Sequence, residues 1–295
     1  MTTAPRPIVF GEVLFDIFPD RSEVLGGAPF NVAWHLHAFG LKPLFISRVG
    51  DDALGHAIRE AMQDWGMDTS GLQIDGAYPT GTVRIDLEDG EPVFNIVAEQ
   101  AYDRISADSL PSLDTGGLLY HGSLALRDEP SRRTLGHIRE CPSLKPFIDV
   151  NLRDPWWEKE EVLGALEGAA WVKINGHELA QLVPESKERQ EQARILQERF
   201  ALEALFVTEG AAGAFARTPE GDTLRVAPTE AVRIVDAVGA GDAFASVLVV
   251  GILGDWPLQL SLQRAQTFAS AIVGQRGATV RDPAFYQGFV TSWGL

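Results

Sequence analysis

Asp236-Ala237-Val238-Gly239-Ala240-Gly241-Asp242 stands between a β-type stretch ending near Val235 and an apolar helix beginning at Ala243. Gly239 and Gly241 permit backbone angles and close approach that a side chain would block, so consecutive N–H groups converge on one point. That point is a helix N-terminus, where unpaired donors and the helix dipole favour an anion such as a phosphoryl group. Asp242 is out of place in a pure anion nest, because a carboxylate repels the ligand unless it has work there. The natural work is accepting a proton from an attacking hydroxyl. A Gly-Ala-Gly turn entering a helix also arises from tight packing alone, and a dinucleotide fingerprint fits poorly because Phe244 occupies the third-glycine position.

Outward from this turn, short β-rich apolar runs alternate with helical stretches along most of the chain, the pattern of a mostly parallel sheet covered on both faces. Strands are expected at Ile8–Val13, Pro43–Val49, Leu118–His121, Phe147–Asn151, Ala170–Ile174 and Leu205–Thr208. Helices are expected near Asn31–Phe39, Leu54–Trp65, Ser131–Arg139, Glu160–Leu166, Lys187–Phe200, Ala243–Gly251 and Gln259–Val273. Thr80–Leu87 and Glu91–Val97 break the alternation, reading as an antiparallel hairpin around Glu88-Asp89-Gly90. With the second half of Gly11–Pro19 this hairpin makes a small lid, and a further hairpin is expected at Ala214–Arg217 and Thr223–Val226. No repeat or linker marks an independent second domain.

Composition narrows the function. With 295 residues, 45% of them hydrophobic, the chain can bury a substantial core. A formal charge of −16 argues against nucleic-acid or anionic-membrane partners, because no basic stripe exists to release counterions. The one cysteine, Cys141, excludes an internal disulfide framework and suits a reducing cytoplasm. No apolar run reaches about 18 residues, and no secretion signal is evident at the N-terminus, so a cytoplasmic location is expected.

Other polar clusters stand at element ends. Gly26-Gly27-Ala28-Pro29-Phe30-Asn31 offers close backbone approach and, at Asn31, both a donor and an acceptor for a hydroxyl; a plain loop with an Asn near a helix start reads equally well. His35 and His37 fall on opposite helix faces without metal-ligand spacing and are read as structural or exposed. Period-two alternation puts Asp149, Asn151 and, if the strand runs on, Arg153 on one side of a strand's carboxyl edge, where Arg153 either meets phosphate or pairs with Asp154 or Asp149. Asn175 and Glu178, three apart after a strand, form a capping box, hold Mg²⁺-bound water, or both. Thr208-Glu209-Gly210-Ala211-Ala212-Gly213 follows another strand and could wrap nucleotide phosphates.

Taken in order, these elements resemble the ribokinase-like sugar kinases, the PfkB carbohydrate kinase family, over essentially the whole chain. The N-terminal likeness lies in Gly26-Gly27, Asn31, Ala33, Gly40 and Gly50-Asp51-Asp52-x-x-Gly55. The C-terminal likeness is to the family's Asp-Thr-x-Gly-Ala-Gly-Asp signature, with Ala237 in place of Thr. The resemblance implies a single domain over 1–295, a three-layer α/β/α sandwich with a β lid from about 12–20 and 78–100, transferring the γ-phosphoryl group of ATP to a sugar hydroxyl. It implies Asp242 as base, with Gly239, Ala240 and Gly241 forming the catalytic turn, and the N–H groups of Ala240, Gly241 and Asp242 as anion hole. Asp16, Gly26, Gly27, Asn31 and Arg153 would hold sugar; Lys173, Asn175, Thr208, Gly210, Gly213, Gly241 and Ser270 would hold nucleotide. Glu178 and Asn175 would organise Mg²⁺ through water, and Asp236 a monovalent cation such as K⁺. The likeness is strongest to fructokinases; ribokinases and 2-keto-3-deoxygluconate kinases share the scaffold, and a noncatalytic sensor on it is the alternative of another class. Pairing of lid edges implies a homodimer.

Overall fold

The computed structural model describes residues 6–88, 91–113, 117–228 and 234–295. The strands are β1 Ile8–Phe10, β2 Leu14–Ile17, β3 Glu23–Gly26, β4 Leu44–Gly50, β5 Leu72–Asp75, β6 Gly81–Glu88, β7 Glu91–Ile96, β8 Gly117–His121, β9 Leu144–Asp149, β10 Trp171–Asn175, β11 Ala204–Thr208, β12 Ala214–Arg217 and β13 Thr223–Val226. The helices are α1 Ala28–Ala38, α2 Ala53–Asp64, α3 Glu129–Arg139, α4 Lys159–Leu166, α5 Gly176–Leu182, α6 Arg189–Phe200, α7 Ala240–Leu253, α8 Leu258–Val273 and α9 Pro283–Trp293.

Among the described residues one sheet runs in the order β13-β12-β11-β10-β9-β8-β1-β4-β5. It is parallel from β11 to β5, with antiparallel β12 and β13 at one edge. Alternate side chains sort its two faces, as the pleat requires. Val9, Leu118, Tyr120, Phe147 and Phe206 pack with buried residues of α1, α2, α7, α8 and α9. Ile148, Val172, Ile174, Leu205 and Val207 pack against α4, α5 and α6, and Ile8, Phe10 and Leu119 against α3. The expected three layers are present.

A second sheet, β3-β2-β6-β7, is separate. The strand expected over Ile8–Val13 stops at Phe10, and the chain enters the second sheet at Leu14. Pairing with β4 ends once the Gly11 N–H reaches the Ile46 carbonyl, at 3.1 Å, and Leu14 then pairs with Gly81 in the second sheet. Residues 11–13 are therefore the splice between sheets. The tip expected at Asp89-Gly90 lies outside the described residues. The strand expected to reach Asn151 stops at Asp149, so Asn151 and Arg153 lie in a turn and not on one strand face.

Candidate active site

The carboxyl ends of β1, β9, β10 and β11, the start of α1 and the start of α7 converge on one cleft. α7 begins at Gly239, whose φ of +80° is left-handed and whose backbone lies so close to Ala278 that a Cβ would come within 2.3 Å of the Ala278 Cβ. Glycine is therefore required there for the turn and for the approach together. The Gly241 and Asp242 N–H groups lie in the first helical turn and have no intrahelical acceptor. The Ala240 N–H leans back toward the Ala237 carbonyl at 3.4 Å, so the first of the three expected donors is partly engaged.

Asp242 Oδ2 accepts a hydrogen bond of 2.7 Å from Asn31 Nδ2, joining residues 211 apart in sequence. Asn31 is in position because Gly27 opens α1 and Pro29 occupies its first turn, which starts the helix at the cleft floor. Burial pushes the Asp242 carboxyl up to about 6; the Asn31 hydrogen bond opposes this, the Asp149 charge adds to it, and Lys173 and Arg153 pull it down. That value suits a base that is ionised at neutral pH yet still takes a proton.

Beneath the turn lies a buried ion pair. Lys173 Nζ donates to Asp149 Oδ1 and Oδ2 at 2.7 and 2.9 Å, and Tyr120 Oη donates to Asp149 Oδ2 at 2.9 Å. A Cβ added at Gly241 would be 3.4 Å from Lys173 Nζ, so the ammonium sits directly under the anion nest. Burial depresses the lysine, but the Asp149 charge and hydrogen bond outweigh it and the net shift is upward. Lys173 thus supplies fixed positive charge from below.

Asn175 and Glu178 form the capping box: the Glu178 N–H donates to Asn175 Oδ1 at 2.9 Å, and the Asn175 N–H to Glu178 Oε2 at 2.9 Å. Glu178 Oε1 also accepts from the Leu152 N–H at 3.1 Å, tying the segment that carries Arg153 to the first turn of α5. Burial raises the Glu178 carboxyl to about 6, against the backbone hydrogen bond from Asn175. Each oxygen accepts one hydrogen bond and keeps capacity for another, which fits a metal held through water by few carboxylates. Arg153 is exposed and, among the described residues, makes no ion pair: Asp149 is taken by Lys173, and Asp154 accepts from Trp157 Nε1 at 2.8 Å. Its charge instead acts on Glu12, Asp16 and Asp242.

Asp16 on β2 stands by Gly26, its Oδ2 3.7 Å from where a Cβ would project, and burial raises it to about 6. Asp236 is fully employed in turn-building, with Oδ1 accepting from the Val238 N–H at 2.9 Å and Oδ2 from the Gly277 N–H at 3.0 Å. Thr208 ends β11, and Gly210 is exposed after it. Gly213, with φ of +98°, is buried against Val226, where a Cβ would be 2.1 Å from the carbonyl oxygen. Ser270, half-buried on α8, accepts from Gln266 at 3.2 Å.

Glu12 went unread in the sequence, and the partners of His35 were not foreseen. Glu12 is 3% exposed, its Oε2 has no hydrogen-bond partner among the described residues, and burial with the Asp242 charge raises it to about 7. A glutamate within an apolar run, Val9-Phe10-Gly11-Glu12-Val13-Leu14, was the available signal. His35, one of the pair read as structural or exposed, is fully buried, whereas His37 is half-buried. A cavity of about 350 Å³ between α3 and α4, lined by Leu135, Ile148, Val150 and Trp156, is separate from the cleft.

A cleft that sets a carboxylate of raised pKa, bound to an amide on one side, against a cation-backed helix N-terminus can abstract a proton and stabilise a transferring anion. The sequence model of the pfkB family carbohydrate kinases matches residues 15–284. The chain belongs to this family. As a pfkB-family carbohydrate kinase it is 33% identical over 296 residues to a fructokinase of Klebsiella pneumoniae, covering 93% of this chain and 95% of that one. It is 30% identical over 256 residues to aminoimidazole riboside kinase of Salmonella typhimurium, covering 82% and 79%. The fold matches a fructokinase double mutant of Vibrio cholerae O395 with fructose, ADP and potassium ion bound, at a TM-score of 0.83 and 27% identity, covering 96% of this chain and 98% of that one. No described helix of this pfkB kinase is long and apolar enough to cross a membrane.

Proposed function

We propose that this kinase transfers the γ-phosphoryl group of ATP to a hydroxyl of D-fructose. The observation that carries this reading is the 2.7 Å bond from Asn31 to Asp242, which brings the expected sugar loop and the expected base into one site beside the anion nest. Asp242 takes the proton of the attacking hydroxyl, and the Gly241 and Asp242 N–H groups hold the transferring phosphoryl oxygens. Asp16, Gly26, Gly27 and Asn31 orient the sugar, with Arg153 over the cleft. Thr208, Gly210 and the Ser270 region border the nucleotide. Glu178 and Asn175 orient metal-bound water; Mg²⁺, when bound, would offset phosphate charge. Asp236 organises the loop that would take K⁺. Most of the rate enhancement comes from placement and fixed charge, because the transition state of phosphoryl transfer is loose.

The whole chain acts as one kinase domain, with the second sheet as lid over the sugar. Its exposed Phe18 and Phe94 support pairing of two lids in a homodimer, which light scattering would test. The single Cys141 suits a cytoplasmic setting. Support for fructose comes from the fructokinase relatives over nearly the full length. The test is coupled ADP formation with ATP and Mg²⁺ over D-fructose, D-ribose, 2-keto-3-deoxygluconate, adenosine and fructose 6-phosphate. Fructose should give the highest kcat/KM; a larger value for another acceptor corrects the substrate, and no acceptor-dependent ADP would leave a noncatalytic sensor.

A further inference from the structure

His35 is buried completely, yet it lies in an aromatic cluster with Phe268 edge-on at 5.1 Å and Tyr286 at 5.9 Å, where an apolar side chain would pack without desolvating a polar ring. Both ring nitrogens are engaged. Nε2 is 3.0 Å from the Ala278 carbonyl oxygen and Nδ1 is 3.0 Å from Tyr286 Oη. A carbonyl oxygen only accepts, so Nε2 carries the proton and Nδ1 accepts from the Tyr286 hydroxyl. Burial holds the ring neutral, with its pKa down to about 3, so this arrangement persists at any pH the kinase would meet.

Ala278 is the residue against which Gly239 packs, and the adjacent Gly277 N–H donates to Asp236 Oδ2 at 3.0 Å. The 277–280 segment is thus wedged between α1 and the anion-nest turn. Trp34 Nε1 adds a bond to the Val280 carbonyl at 3.0 Å. His35 lies one helical turn after Asn31, on the same side of α1. One helix therefore contacts the base directly through Asn31, and contacts the turn carrying that base indirectly through His35.

We propose that His35 is a positioning residue that fixes the 277–280 segment and, through Ala278, holds the Gly239–Asp242 turn in register with Asn31. This rests on the sugar-kinase reading for its kinetic consequence but not for its structural one. A simple core histidine would matter for stability alone; a positioning residue matters for turnover even where stability is restored.

The test compares the wild type with His35→Phe, Tyr286→Phe, the double variant and His35→Gln. Phenylalanine keeps the aromatic volume and removes both hydrogen bonds, and Tyr286→Phe removes the hydroxyl, which would otherwise keep only its 3.3 Å contact with the Val280 carbonyl. The double variant should regain most of the melting temperature lost in His35→Phe while kcat stays down about tenfold with the sugar KM changed less than about threefold. His35→Gln, which can donate to Ala278 and accept from Tyr286, should return kcat to within about threefold of the wild type. Recovery of kcat together with melting temperature in the double variant overturns the proposal. Hydrogen exchange, read without any substrate, should be faster in the double variant than in the wild type at the Gly277 and Ala243 amides, which donate to Asp236 and to the Gly239 carbonyl; unchanged exchange also overturns it. Should the wild type phosphorylate none of the sugars, the exchange comparison still decides the role of His35, while the kinase reading fails separately.

Discussion

Replacing Glu12 by glutamine tests the electrostatics of the sugar end of the cleft. Its carboxyl is raised from 4.5 to about 7 by burial and by the Asp242 charge, so the folded chain binds this proton more tightly than the unfolded chain does. Stability contributed by that proton is intact below about 4.5, falls as pH climbs toward 7, and levels off above it. The loss between pH 5 and 8 is about 2–3 kcal/mol, since one pKa unit corresponds to about 1.4 kcal/mol. Glutamine cannot ionise, so the variant lacks this slope. Asp16, Glu178 and Asp242 are also raised, but they are present in both proteins and largely cancel in the comparison. Urea denaturation of both proteins at pH 5, 6, 7 and 8 should show Glu12→Gln gaining about 2–3 kcal/mol on the wild type across that range, or roughly 4–5 °C in Tm. Parallel stability curves would refute the buried-carboxyl reasoning, because they would mean that Glu12 titrates alike in the folded and unfolded chains.

Asp242→Asn should lower kcat by about 10²–10⁴-fold while ATP affinity, measured by calorimetry, stays within a few-fold; undiminished turnover removes Asp242 from the mechanism. The wild-type kcat should fall with acid as Asp242, at about 6, takes up a proton. Asn31→Ala removes a hydrogen bond that favours the ionised base, so the acid limb of the kcat–pH profile should move up by about one pH unit; a limb that stays in place assigns it to another group. Glu178→Gln should raise the Mg²⁺ concentration for half activity several-fold, and a variant altered only in Tm would reduce Glu178 to its capping role.

The layered sheet was legible because long parallel strands and amphipathic helices repeat a strong period, and the β12–β13 hairpin matches the expected bounds. Two strands escaped: Glu23-Val24-Leu25-Gly26 and Leu72-Gln73-Ile74-Asp75 are as short as β12 and β13 but lack the local Pro219-Glu220-Gly221 turn that marks that hairpin. Helix α9 escaped since its apolar residues pack in an aromatic cluster without a clean stripe. In the site, Gly239–Asp242 and Asn31 were legible because a turn and a cap leave local marks. Glu12 and His35 were not, for their meaning comes from partners more than 200 residues away, Asp242 for one and Ala278 for the other. The strand expected to end at Asn151 stops at Asp149, so the condition for Arg153 to share its face is not met, and the Leu152 N–H is instead held by Glu178.

Helix α1 lies against α7, and on the proposed mechanism each would carry one reactant's contacts at its first turn. On that mechanism the distance from acceptor oxygen to donor phosphorus would be set by how two buried helices abut more than by the loops around them. Because a misplacement of about 1 Å can cost 10²-fold in rate, a methylene added at this helix seam would act as a spacer between the two reactants. Catalytic defects without ligand contact should accordingly map to the seam, and natural tuning of turnover has a place to occur that leaves both binding pockets untouched.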